Sequence, residues 1–198
     1  MTDRKRALLD SAVRIIARQG VRGLRVEEVA RHAGVSTALI YHHFGDRSNL
    51  LQSALLHVEQ TAEGYTLATE AISGRDVLIA TVLGEFQDDS NVRDNSAAWG
   101  ELRDAAIFDE SLRPTLAVQT EQWIDRLAGI IVEGQTDGSI STAVDPHTTG
   151  QRLTALIEGL SSRWLSGLIS TDEARSLIET AVVRELEGAV ATSAETSK

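Results

Sequence analysis

Apolar residues recur in this chain at spacings of three and four almost from end to end. No segment alternates apolar with polar in the two-residue period of a strand. That pattern restricts the fold to packed helices, and with only two prolines in 198 residues little interrupts it. Helix boundaries must then be marked by caps and glycines. A first helix is expected over about 3–19, with Leu8, Ala12, Ile15 and Ile16 on one face and Gly20 ending it in the left-handed region. A short second helix over about 26–33 would bury Val26, Val29, Ala30 and Ala33. Gly34 makes a turn, and Ser36 is a suitable N-cap for a third helix. Three short helices with a glycine turn before the last form a helix-turn-helix, whose final helix can enter a DNA major groove.

From Asp46 the pattern lengthens. One helix of about 25 residues, roughly 40 Å long, is expected to follow. Further helices are read at about 74–87, 96–108 and 112–133, with "DDSNVRDN" as a polar turn and "GQTDGSIS" as a loop. Asp145 followed by Pro146 is an N-cap with proline at the first helical position, and that helix should run to about Ser166. Ser170 with Glu173 has the capping-box spacing and opens a last helix to about Ala191. The count is nine helices.

Charge divides the chain more sharply than its total of −10 implies. Residues 1–47 carry nine Lys/Arg against five Asp/Glu, a net +4, and residues 48–198 carry ten against twenty-four, a net −14. A basic head on an acidic body suits a polyanion-binding module joined to a domain of another kind. There is no cysteine, which excludes disulfides and thiolate metal sites and fits a reducing cytoplasm. No run reaches the length of a membrane span, and the N-terminal stretch lacks the apolar segment of a secretory signal. A cytoplasmic protein with no membrane partner is expected.

Within the head, "VSTALIYHHF" is the stretch that points outward. Ile40 and Phe44 are four apart and can share a buried face, while Thr37, Ala38, Tyr41 and His42 fall on the other side. Thr37 and Ala38 could meet base edges or a thymine methyl. Tyr41, His42 and His43 could donate to phosphate or to a guanine acceptor, and Arg47 stands where the next helix begins. An ordinary amphipathic helix with a solvated aromatic edge would show the same residues, so the face alone leaves both readings open.

The run "VEEVARHAGVSTALIYHHFGDRSNLLQSAL" resembles the N-terminal domain of the tetracycline-repressor (TetR) family of regulators, and with Gly20 and Gly23 the likeness covers about residues 5–55. The resemblance implies an all-α fold: a three-helix helix-turn-helix head over 1–47 and a helical ligand-binding and dimerisation body over 48–198. It also implies that Ser36, Thr37, Ala38, Leu39, Tyr41, His42 and His43 lie on the DNA-contacting stretch. Arg47 falls where relatives most often have a phosphate-binding lysine, and arginine keeps that charge. Two positions depart from the pattern. Arg25 replaces the usual threonine N-cap, which weakens the cap by about 1 kcal/mol while offering charge to the DNA backbone. Leu39 is large where many relatives are small or polar, so no base preference carries over.

The C-terminal region "LIEGLSSRWLSGLISTDEARSLIETAV" is similar to the betaine-regulator-like branch of the same family, whose last two helices pair in a dimer. Leu153, Leu156, Ile157, Leu160 and Trp164 form one stripe, and Leu177, Ile178, Ala181 and Val182 another. Much of each must be core, and part is expected to meet a second chain. Phe86, Trp99, Arg103, Phe108 and Trp123 lie on the middle helices where the family places its effector, and an acidic, tryptophan-bearing body suits a cationic ligand.

The expected function is therefore a homodimeric, ligand-responsive repressor. It would bind a palindromic double-stranded operator and be released by a small-molecule inducer, with no cofactor and no metal. An enzyme would need a convergent constellation, and no zinc, phosphate-loop or Ser-x-x-Lys pattern is present; Glu28 and His32, four apart, read as a surface pair. The alternative is an all-α interaction scaffold that no longer binds DNA.

Overall fold

In the computed structural model, which describes residues 3–66 and 72–191, the chain is built from nine α-helices among the described residues. They are α1 (Asp3–Gly23), α2 (Val26–His32), α3 (Thr37–Phe44), α4 (Arg47–Thr66), α5 (Gly74–Gly84), α6 (Ser90–Ala105), α7 (Arg113–Asp137), α8 (Pro146–Leu165) and α9 (Thr171–Ala191). A 3-10 turn, Glu110–Leu112, precedes α7. Packing divides the chain into two compact units. One comprises residues 1–64 and 89–119, the other 65–88 and 120–198.

The first unit has a single apolar core. Leu8, Ala12, Ile15 and Ile16 of α1 meet Val26, Val29 and Ala30 of α2, Ile40 and Phe44 of α3, and Leu50, Leu51, Ala54 and Leu55 of α4. Ala98, Leu102 and Ala106, from α6 and its end, complete the same cluster. Each fully buried leucine or isoleucine contributes about 1.5–3 kcal/mol. Gly20 does turn left-handed, at φ 73°, but it kinks α1 rather than ending it: residues 21–23 resume the helix. Val21 is held there from both sides. Its N–H donates to Glu101 Oε2 of α6 at 3.2 Å, and its carbonyl accepts from the Arg47 guanidinium. Asn95 of α6 is buried and donates to the Val58 carbonyl at 3.0 Å, tying α6 to α4.

The second unit is held by long helices with well-made ends. Asp145 caps α8 by accepting from Thr148 N–H at 2.7 Å, and Pro146 follows as expected. Bonds from the Thr148 side chain and amide hold the Asp145 carboxyl below its usual range. Ser170 and Glu173 form the capping box, with Ser170 N–H donating to Glu173 Oε2 at 2.8 Å and Glu173 N–H returning to Ser170 Oγ at 3.2 Å. That bond from the Ser170 amide, joined by its hydroxyl, lowers the pKa of Glu173. Phe86 and Trp164 are fully buried and meet edge to face at 5.7 Å, and the indole N–H donates to Thr171 Oγ1 at 2.9 Å. Arg175 of α9 donates to the carbonyls of Leu83 and Phe86, satisfying the end of α5.

Several boundaries differ from the sequence expectation. The stretch "DDSNVRDN" is not a turn. Asp89 caps it by accepting from the N–H groups of Asn91 and Val92, so α6 starts at Ser90. At its other end α6 stops at Ala105, because Arg113 takes the carbonyls of Ala106 and Ile107. Helix α5 ends at Gly84, whose carbonyl accepts from the Gln87 side chain at 2.7 Å. Helix α7 continues to Asp137, with Gly138 at φ 80° making the turn. The described part of α4 ends at Thr66, and its expected continuation lies outside the described residues.

Candidate nucleic-acid interface

An eight-residue helix is too short to be stable alone, so α3 depends on what it packs against. Ile40 and Phe44 are buried in the first unit's core. With those two turned inward, the 3.6-residue period turns Ala38, Tyr41 and His42 outward. All three are exposed, Tyr41 at 47%. Thr37, Leu39 and His43 are half-buried at the edges of that face. His43 lies between the rings of His42, 5.5 Å away, and Phe44, 6.2 Å away, while Lys5 sits over the Phe44 ring at 5.4 Å. The outward face therefore carries a phenol, two imidazoles, a hydroxyl and small methyls, with lysine charge close by.

The groups flanking α3 are placed as follows. Ser36 occupies the N-cap position with extended backbone, but its hydroxyl makes no cap bond to the helix. Arg25 precedes α2 in the same way, exposed and without a side-chain cap. Arg47 is half-buried at the start of α4, where Nε donates to the Leu24 carbonyl at 3.2 Å and one Nη donates to Val21. It thereby clamps α4 to the end of α1, a role the sequence does not signal. Glu28 and His32 do not pair: Glu28 accepts from Gln19 at 2.8 Å, and His32 lies 3.1 Å from Ser11 Oγ.

The candidate effector residues fall in both units. In the first, Trp99 packs half-buried against the core, Phe108 is 80% exposed, and Arg103 bonds Asp104 through Nε and Nη at 3.2 and 3.1 Å. In the second, Phe86 is core, and Trp123 is 8% exposed with the Arg126 guanidinium 5.2 Å above its ring. The α8–α9 stripes divide cleanly. Leu153, Ile157, Leu160, Trp164, Ile178 and Val182 are buried within the chain. Leu156 and Ala181 are half-buried, Leu177 is 50% exposed, and Gly159 faces open space.

A short helix seated after a glycine turn, with its outer face left polar and free, defines the helix-turn-helix class of DNA-binding proteins. Known proteins place the chain within that class. Residues 8–54 match the model for bacterial regulatory proteins of the tetR family, and residues 74–187 match the model for the C-terminal region of BetI-type transcriptional repressors. A solved TetR-family transcriptional regulator from Rhodococcus sp. is 44% identical, superposes with a TM-score of 0.89, and covers 94% of this chain and all of that one. The HTH-type transcriptional regulator BetI of Rhizobium meliloti (strain 1021) is 28% identical over 162 residues, 81% of this chain and 77% of its own length. A transcriptional regulator from Saccharomonospora viridis, solved in complex with choline, is 26% identical with a TM-score of 0.76 over 89% of this chain and 93% of that one. The chain belongs to the TetR family, with a BetI-type C-terminal region. It is a DNA-binding transcriptional regulator.

Proposed function

We propose that this regulator is a homodimeric repressor whose two α3 helices read a palindromic operator, and that a small cationic effector releases it. The observation that carries this reading is the outward face of α3, where Ala38, Tyr41 and His42 are exposed on a helix that buries Ile40 and Phe44. Thr37, Ala38 and Leu39 would meet base edges and methyls; Tyr41, His42 and His43 would donate to phosphate or guanine. Arg25, Ser36 and the charge of Arg47 would flank them on the backbone. DNA binding is assigned to residues 1–47, and effector binding and dimerisation to 48–198.

Two half-sites about 34–36 Å apart call for a two-fold protein. Leu177, half-buried Leu156 and Ala181, and open Gly159 support pairing through α8 and α9. For the effector, the net −14 of residues 48–198 and the choline complex of a relative favour a quaternary ammonium or similar cation. Phe86 and Trp123 in the second unit, and Trp99, Arg103 and Phe108 in the first, remain the candidate contacts, taken unit by unit. Effector and operator affinities are then reciprocally coupled.

The test is fluorescence anisotropy of the full chain on its own upstream intergenic DNA across a salt series, with scrambled duplex as control. Sequence-dependent binding with a steep salt slope supports the reading. A folded protein that binds neither duplex at low salt refutes it and favours the scaffold alternative.

A further inference from the structure

We infer that Glu121, Asp125 and His147 form a surface site for one divalent first-row transition-metal cation, of which zinc fits best. One ligand atom from each residue lies within 4.8 Å of the other two, and His147 Nε2 is 2.8 Å from Glu121 Oε1. A tetrahedral zinc with bonds of about 2.0–2.2 Å holds its ligands about 3.3 Å apart. The three groups thus need only small rotamer shifts to close on an ion. An imidazole with two carboxylates is a borderline donor set, which selects zinc over magnesium or calcium, the cations of all-oxygen cages.

The backbone under the site is already in place. Glu121 and Asp125 are four apart on α7, so both side chains rise from one face. His147 is the second residue of α8, behind a proline and beside the Asp145 cap, which restrains the helix start that carries it. One turn further along α8, buried Gly150 lies directly on α7: a Cβ there would stand 3.0 Å from the Ile124 carbonyl. This backbone-to-backbone approach fixes the two helices together at the level of the three ligands, within a single compact unit. The surroundings are anionic. The charges of Glu121, Asp125 and Asp145 all reach His147. That anionic field attracts a divalent cation. Bound there, the ion would join α7 to α8.

The experiment titrates the full chain with Zn2+ against a chelating dye, and records thermal unfolding with and without the ion. Asp125 and His147 are exposed, so Asp125→Asn and His147→Ala leave the packing intact. The wild type is expected to take up one Zn2+ and unfold at higher temperature with it. Each variant should lose that equivalent, or at least tenfold in affinity, together with the thermal shift. A His42→Ala/His43→Ala variant, which removes the other adjacent imidazoles, should retain both. Uptake unchanged by Asp125→Asn and His147→Ala overturns the site, as does a wild type that takes up no Zn2+.

Discussion

Helices α3 and α8 are both amphipathic, but they keep their shape for different reasons. Helix α3 has eight residues, no side-chain cap and two buried anchors. Helix α8 has twenty residues, an aspartate cap, proline at its start and a buried row that includes Leu153, Ile157, Leu160 and Trp164. The first is helical because a core built by other elements receives Ile40 and Phe44. The second carries local signals that would start a helix wherever it was placed. The difference teaches where function can be held. A helix anchored at two points from behind leaves its remaining side chains uncommitted to the fold, as Tyr41 and His42 are.

Breaking the anchor of α3 should produce the largest effect. Phe44→Ala removes a buried ring and is expected to cost about 3–5 kcal/mol in urea unfolding, abolishing DNA binding with it. Tyr41→Ala should separate surface from support: unfolding stays within about 0.5 kcal/mol of wild type, while operator affinity falls by about 1.5–3 kcal/mol if the phenol donates to phosphate. An equal loss of stability would show that Tyr41 belongs to the core. Gly20→Ala places a side chain at φ 73° and 2.7 Å from Glu101 Oε2. With ψ at 168° that backbone is essentially reserved for glycine, and a side chain there costs about 1–3 kcal/mol by itself. Stability matching wild type would mean that the kink in α1 is not required.

The smallest effect sharpens the α8 side of the comparison. The folded pKa of Asp145 is lowered, chiefly by its bonds to Thr148, and Glu173 is lowered by those to Ser170. The stability they contribute is present above the ordinary carboxylate range and lost as pH falls through their folded values. Asp145→Asn keeps an acceptor but cannot titrate, so unfolding followed from neutral pH to pH 3 should show a shallower acid loss than wild type. An identical pH profile would remove Asp145 from the acid response.

Legibility followed the range of the interaction. The caps at Asp145 and Ser170 were readable because each signal and its partner lie within three residues. The same chemistry misled at "DDSNVRDN", since Asp, Ser and Asn stabilise turns and helix starts alike. Only the helix that follows tells them apart. The outward face of α3 was readable as a pattern, and the family resemblance gave it a role. That Phe86 meets Trp164 edge to face, and that Glu28 pairs with Gln19 rather than His32, had no local signal.

By itself the sequence determined an all-α chain, the starts of α8 and α9, the division of charge and the inward and outward faces of the helix-turn-helix. These follow from period, cap chemistry and composition, which act over a few residues. Only the tertiary structure decided that Ala98 and Leu102 of α6 join the core of Leu8 and Ile16, and that Arg47 and Glu101 meet on the two sides of the Val21 peptide. It alone brought His147 to Glu121 across 26 positions of sequence. Contacts of that separation depend on how buried faces from distant segments fill a shared volume, and no pattern within one segment encodes which partner will fill it.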